Sequence, residues 1–104
     1  LLGSTLVAVY SEFGRTPKIN KDGGRDHWNQ VCSVMLAGGG LKRGVVVGSS
    51  TKAGDVPKDR PTPFNDILAT MYRQMGVPAD EVFYDLLGRP FPYLPSGRVI
   101  GELI

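Results

Sequence analysis

Residues 5–10 have the sequence Thr5-Leu6-Val7-Ala8-Val9-Tyr10, and this stretch decides the predicted fold. Its hydrophobicity is continuous rather than alternating, and the stretch is rich in β-branched and aromatic residues. A run of this kind is typical of a strand that is buried on both faces, as in a parallel sheet covered by helices. The stretch therefore predicts an α/β protein with a mostly parallel sheet.

Two further apolar runs, Val31–Ala37 and Val45–Val47, bring the number of predicted strands to two or three. A helix is predicted after them, with Thr62 as its N-cap, Pro63 at its first position and Gly76 at its end. Its apolar residues recur at helical spacing, at Phe64, Ile67, Leu68, Met71, Tyr72 and Met75. Strands that alternate with a helix and long loops again indicate the α/β class.

A parallel sheet of only two or three strands would leave an exposed edge and an uncovered face. We therefore expect residues 1–104 to form a portion of a larger domain rather than a whole domain. Such a portion would expose apolar surface, through which self-association is possible.

The composition excludes several classes of protein. The chain has 104 residues with 12 basic and 10 acidic side chains, and its net charge of +2 is too small to indicate a nucleic-acid partner. No apolar run reaches the ~18 residues needed for a membrane span. The single cysteine, Cys32, excludes an internal disulfide, and its apolar neighbours predict a buried, unreactive thiol.

The loop that follows Tyr10 carries the residues most suited to chemistry, because ligands of open α/β sheets bind beyond the carboxyl ends of strands. A carboxylate and an imidazole, from Glu12 and His27, suit a divalent metal such as zinc or manganese. The guanidinium groups of Arg15 and Arg25 suit phosphate or sulfate.

These loop residues also allow simpler interpretations. The charges can form a solvated loop whose surface ion pairs contribute little stability. His27, the only histidine, can be a hydrogen-bonded structural residue instead of a ligand. If it is a ligand, the adjacent Asp26 is the candidate to orient its ring.

Three motifs taken together resemble a known family. They are Ser11-Glu12-Phe13-Gly14-Arg15-Thr16-Pro17, Gly24-Arg25-Asp26-His27-Trp28 and Gly38-Gly39-Gly40-Leu41-Lys42-Arg43-Gly44, and the helix around Asp66-Ile67-Leu68-Ala69-Thr70 follows them. Their order and spacing resemble the C-terminal part of the bacterial domain-of-unknown-function family 1501, in the alkaline phosphatase and sulfatase superfamily. The resemblance covers essentially the whole chain.

The resemblance implies that residues 1–104 are the C-terminal portion of an α/β/α sandwich that binds a divalent metal, zinc, manganese or calcium. Ser11-Glu12-Phe13-Gly14 stands where catalytic members have Ser/Thr-Asp-His-Gly, so the resemblance makes Glu12 a metal ligand. His27 resembles the further metal histidine of the phosphatase branch, whereas Phe13 cannot coordinate a metal. The nucleophile of such enzymes lies in a segment upstream of the one that these residues resemble.

The function implied by the resemblance is metal-dependent hydrolysis of small phosphate or sulfate esters, with the isolated 104 residues inactive. A periplasmic or other extracytoplasmic location is also expected from the resemblance alone. The alternative is a non-catalytic binding or structural module without a working metal centre. In that case Glu12 and Arg15 would form an ion pair, and Phe13 would pack into the former metal site.

Overall fold

The strand predicted at the start of the chain is present, but its partner runs in the opposite direction. In the computed structural model, which describes residues 1–104, β1 (Leu6–Val9) pairs with β4 (Met35–Gly38). The pair is antiparallel, with Leu6 opposite Gly38 and Val9 opposite Met35. Leu6 and Ala8 are half-buried while Val7 and Val9 are exposed, so only one face of the strand is covered.

The remaining strands also form two-stranded antiparallel sheets, and no sheet has a third strand. The pairs are β2 (Gly14–Arg15) with β3 (His27–Trp28), β5 (Ser49–Ser50) with β6 (Pro57–Asp59), and β7 (Val82–Tyr84) with β8 (Pro90–Pro92). The prediction of a parallel-sheet α/β/α sandwich is therefore wrong. The apolar run Val45–Val47 forms no strand.

The predicted helix is present as α1 (Phe64–Gln74), which ends before Gly76 as expected. Its start differs from the prediction, because Pro63 occupies the N-cap position and the Thr62 hydroxyl donates to the Arg60 carbonyl. Helix α1 has 11 residues. No helix of the protein has the length and apolar character that a bilayer span requires.

A small buried core lies where α1 meets the Gly38–Leu41 turn and the C-terminal segment. Its buried residues are Leu41, Ile67, Thr70 and Ile100. Gly38 has a positive φ of 76° and takes no side chain, because a Cβ there would collide with the Leu2 and Thr5 carbonyl oxygens.

Hydrogen bonds join the three segments around this core. The side-chain amide of Gln74 donates to the Gly39 carbonyl at 2.6 Å, and the Lys42 N–H donates to the Leu103 carbonyl at 2.9 Å. The Thr70 hydroxyl accepts the Ile100 N–H at 2.9 Å and donates to the Asp66 carbonyl at 2.7 Å. The last segment, including the 3-10 helix Gly101–Leu103, is thereby held against α1.

Most of the chain lies outside this core. The radius of gyration is 16.7 Å, whereas about 13 Å is expected for a compact chain of this length. The accessible surface is 7787 Å², against about 5,700 Å² for a compact monomer of this mass. Apolar side chains such as Val46 and Leu86 are almost fully exposed, and Cys32 is exposed rather than buried as predicted.

Removing the Thr70 hydroxyl should destabilise the protein. In Thr70→Val the shape is kept, but the buried Ile100 N–H loses its acceptor. We expect the free energy of unfolding to fall by about 1–3 kcal/mol, measured from urea unfolding of the intact protein. The control Thr62→Val, which removes a hydroxyl with an exposed hydrogen bond, should cost less than about 0.5 kcal/mol. Equal losses in the two variants would contradict the assigned role of Thr70.

The interactions of Asp85 in the turn between β7 and β8 predict that the stability of the protein depends on pH. The Asp85 carboxylate accepts the Arg89 and Leu87 N–H groups, each at 2.9 Å, and binds the Arg89 guanidinium at 2.7 Å. The hydrogen bond from the Arg89 backbone is the largest cause that lowers the pKa of Asp85 below its usual 3.8, followed by the Arg89 side chain.

Because the folded-state pKa of Asp85 is lowered, its contribution to stability is complete above pH 3.8 and is lost as the pH falls through the folded-state pKa. We expect the urea midpoint of the intact protein to drop as the pH falls below this value, and Asp85→Asn to drop less steeply. Asp22→Asn, at a carboxylate that makes no hydrogen bond, should keep the slope of the unaltered protein. An unchanged slope in Asp85→Asn would show that this turn is not the source.

Candidate functional site

Arg15 and His27 lie opposite each other on the β2–β3 hairpin. The antiparallel register pairs Gly14 with Trp28 and Arg15 with His27. Directly opposed residues of an antiparallel pair project from the same face of the sheet, with Cβ atoms about 5 Å apart. The hairpin therefore brings together a guanidinium and the only imidazole of the chain, 12 residues apart in sequence.

Two contacts hold this hairpin in place. The Trp28 indole N–H donates to the Asp55 carbonyl at 2.6 Å and so anchors the loop. Gly14 lies so close to the following segment that a Cβ would collide with the Val31 carbonyl oxygen. The glycine is therefore required by close approach of two backbone segments.

Phe13 packs directly on His27. The two ring centroids are 3.8 Å apart and the ring planes differ by 24°, so the rings are stacked. The Arg15 guanidinium carbon lies 5.5 Å from the centroid of the Phe13 ring, within range of a cation–π interaction. Phe13 thus lies in contact with both groups that the sequence assigns to metal and anion binding.

Glu12 lies just before β2 and is exposed. A hydrogen bond with its own backbone is the largest cause that lowers the pKa of Glu12 below 4.5, followed by the Ser11 hydroxyl, which donates to Oε2 at 3.3 Å. The charges of His27 and Arg15 also lower this pKa, as the two smallest causes. Glu12 forms no salt bridge with Arg15, contrary to the expectation for a non-catalytic module.

The Arg25 side chain stabilises the loop conformation through hydrogen bonds to backbone carbonyls. Its Nη1 donates to the Thr16 carbonyl at 2.8 Å and to the Pro17 carbonyl at 2.5 Å. Arg15 donates from Nη1 to the Arg25 carbonyl at 3.3 Å. No carboxylate pairs with either arginine, so both guanidinium groups retain N–H donors that are free to bind an anion.

The Asp26 carboxylate is directed into the loop. Its Oδ1 accepts the Asn20 side-chain amide at 3.0 Å, and no hydrogen bond joins it to His27. Asn20 in turn accepts the N–H groups of Asp22 and Gly24. Asn20 was not singled out from the sequence, although an asparagine three residues before a glycine is a recognisable turn signal.

The chain supplies two metal-binding side chains of the expected type, Glu12 and His27. No group of three or more histidine, cysteine, aspartate or glutamate residues comes together elsewhere in the protein or around this pair. Catalytic zinc sites take three protein ligands. Glu12 and His27 alone therefore do not make a complete catalytic zinc site, which would require further ligands.

The comparison with known families matches the whole of residues 1–104 to the family described as protein of unknown function (DUF1501). The chain belongs to this family. No curated protein and no solved structure matches the chain.

The stacking of Phe13 on His27 predicts a spectroscopic signature. Ring protons above an aromatic face are shielded, so Phe13→Leu should move the His27 imidazole proton resonances downfield in the NMR spectrum of the intact protein. Tyr10→Leu is the matched control, because Tyr10 packs on Phe64 instead, at 5.6 Å between centroids. The control should leave the His27 resonances in place. His27 resonances that do not move in Phe13→Leu would exclude the stack.

Proposed function

We propose that this chain contributes part of the active site of a metal-dependent hydrolase of the alkaline phosphatase and sulfatase superfamily, acting on small phosphate or sulfate esters. The observation that carries the proposal is the hairpin register, which sets Arg15 directly opposite His27. The charges of both groups lower the pKa of the Glu12 carboxyl. An imidazole and a guanidinium on one face of a hairpin, with a carboxylate two residues before its first strand, suit a cation and an oxyanion together.

In this proposal Arg15 binds the anionic group of the ester. A guanidinium presents a planar fork of donors that matches two oxygens of phosphate or sulfate. Arg15 has one hydrogen bond, from Nη1, so its other N–H groups remain for the anion. Arg25 has the same assignment, although two hydrogen bonds from its Nη1 also hold the loop.

Glu12 and His27 are the proposed ligands of a divalent metal, zinc, manganese or calcium. A bound metal supplies Lewis-acid chemistry, which lowers the pKa of a nucleophile and neutralises charge on the transferring group. Because these residues provide only two ligands, we propose that the other ligands and the nucleophile come from outside residues 1–104. The isolated 104 residues would then be inactive. The extracytoplasmic location expected from the resemblance remains part of this proposal.

A second candidate function is a non-catalytic binding or structural module. The observation that favours it is the 3.8 Å stack of Phe13 on His27, which covers one face of the imidazole with an apolar ring. An aromatic side chain in this place fills space and excludes solvent, and it supplies no donor to a metal. The two candidates therefore differ in whether the intact protein binds a divalent metal through His27.

Metal titration of the intact protein separates these candidates. We expect Zn²⁺ or Mn²⁺ to bind, and His27→Ala and Glu12→Gln each to weaken the affinity at least about tenfold in isothermal calorimetry. Hydrolysis of aryl phosphate and aryl sulfate by the full-length protein that contains residues 1–104 should fall in both variants. The control Asp22→Asn changes an exposed carboxylate of the same loop that makes no hydrogen bond, and it should bind metal like the unaltered protein.

Thermal melting with and without EDTA supplies an independent measurement. A protein that holds a metal through these residues should melt at lower temperature in EDTA, and His27→Ala should abolish that difference. If EDTA has no effect and His27→Ala retains both metal affinity and hydrolysis, the hydrolase proposal is wrong and the module is favoured.

A further inference from the structure

A second concave site lies between the C-terminal end of α1 and the β7–β8 hairpin. Its volume is about 450 Å³, and it is lined by Tyr72, Gly76, Val77, Pro78, Glu81 and Tyr93. This volume is within the range of small-molecule binding sites. None of these residues belongs to the β2–β3 hairpin, so the site is separate from the proposed metal and anion site.

Backbone hydrogen bonds fix the walls of this cavity. The Val77 N–H donates to the Tyr72 carbonyl at 2.9 Å, at the end of the helix. On the other side, the Tyr93 N–H donates to the Glu81 carbonyl at 3.1 Å, and the Glu81 N–H donates to the Pro78 carbonyl at 3.2 Å. These bonds fix the backbone positions of the lining residues, and the Tyr93 ring also packs edge-on against Phe83, with 5.6 Å between the ring centroids.

The segment that supplies most of the cavity lining is acidic, although Arg73 and Arg89 flank it at either end. The segment from Gly76 to Gly88 contains the acidic residues Asp80, Glu81 and Asp85 and no lysine or arginine, whereas the whole chain has a net charge of +2. Asp85 is paired with Arg89, which follows this segment. Glu81 forms no salt bridge.

We propose that this cavity binds an organic cation, either a quaternary ammonium group or the ammonium or guanidinium group of a basic side chain. Tyrosine rings attract cations over their electron-rich faces, Tyr72 and Tyr93 both line the cavity, and the Glu81 carboxylate supplies the opposite charge. Two tyrosines with one unpaired carboxylate are the combination that recognises such groups. The inference stands independently of the proposed hydrolase function.

NMR titration of the intact protein tests the proposal with defined probes. Tetramethylammonium and Nα-acetyl-lysine amide should each give saturable shifts of the Tyr72 and Tyr93 resonances. The neutral probe tert-butanol, of similar shape to tetramethylammonium, should give none. Tighter binding of tetramethylammonium would identify a choline-type group as the ligand, and tighter binding of lysine amide would identify a basic side chain.

Variants assign the binding to the proposed groups. We expect Glu81→Gln to weaken cation binding about two- to fivefold. Tyr93→Leu should weaken it about two- to fivefold, whereas Tyr93→Phe, which keeps the ring, should retain it. Comparing Tyr93→Leu with Tyr93→Phe separates the loss of the aromatic ring from a general disturbance of the hairpin. Asp22→Asn removes a carboxylate remote in sequence from the cavity and should change nothing.

Three results would overturn the proposal. One is the absence of saturable shifts of the tyrosine resonances with either cation up to about 100 mM, a concentration far above the dissociation constant of a functional site. Another is binding of tert-butanol as strong as that of tetramethylammonium, which would show that the cavity binds small apolar groups irrespective of their charge. The third is unchanged cation affinity in both Glu81→Gln and Tyr93→Leu.

Discussion

The structure depends on the pair of hydrogen bonds made by one buried hydroxyl. Thr70 is fully buried on α1; its hydroxyl donates to the Asp66 carbonyl and accepts the Ile100 N–H. A buried N–H without a partner is costly, so the C-terminal segment is held to the helix at this point. Asp66 adds a second tie, because its Oδ1 accepts the Arg98 N–H at 2.9 Å. With only three buried apolar residues in the chain, these polar ties decide where the segments meet.

Away from this core, short antiparallel hairpins set the positions of functional side chains. The β2–β3 hairpin opposes Arg15 and His27, and the stacked ring of Phe13 contacts the imidazole. The same hairpin therefore brings a guanidinium and an imidazole together with an aromatic residue that coordinates nothing. The cavity beside α1 is built differently, from a helix end and a hairpin tied by backbone hydrogen bonds.

Sequence patterns predicted the secondary-structure elements whose formation depends on residues close together in the chain. The 3.6-residue apolar period identified α1, and Gly76 marked its end, because helix formation depends on residues that are close in sequence. The sheet could not be predicted in this way. The run Leu6–Val9 is apolar at every position, which indicates burial on both faces, yet its antiparallel pairing with Met35–Gly38 covers one face only. Cys32 was misassigned for the same reason, since apolar neighbours do not ensure that a segment is covered.

By itself, the sequence determined the family, the helix, the absence of a disulfide and the identity of the charged residues in the loop after β1. These follow from residue types and their spacing along the chain. Only the tertiary structure decided that His27 faces Arg15 and stacks on Phe13, and that Asp26 bonds to Asn20. It also brought Tyr72 and Tyr93, 21 residues apart, to one cavity. The physical reason is that hairpin register and long-range hydrogen bonds depend on which backbone groups pair in the folded chain. The spacing of residues along the sequence does not specify that pairing.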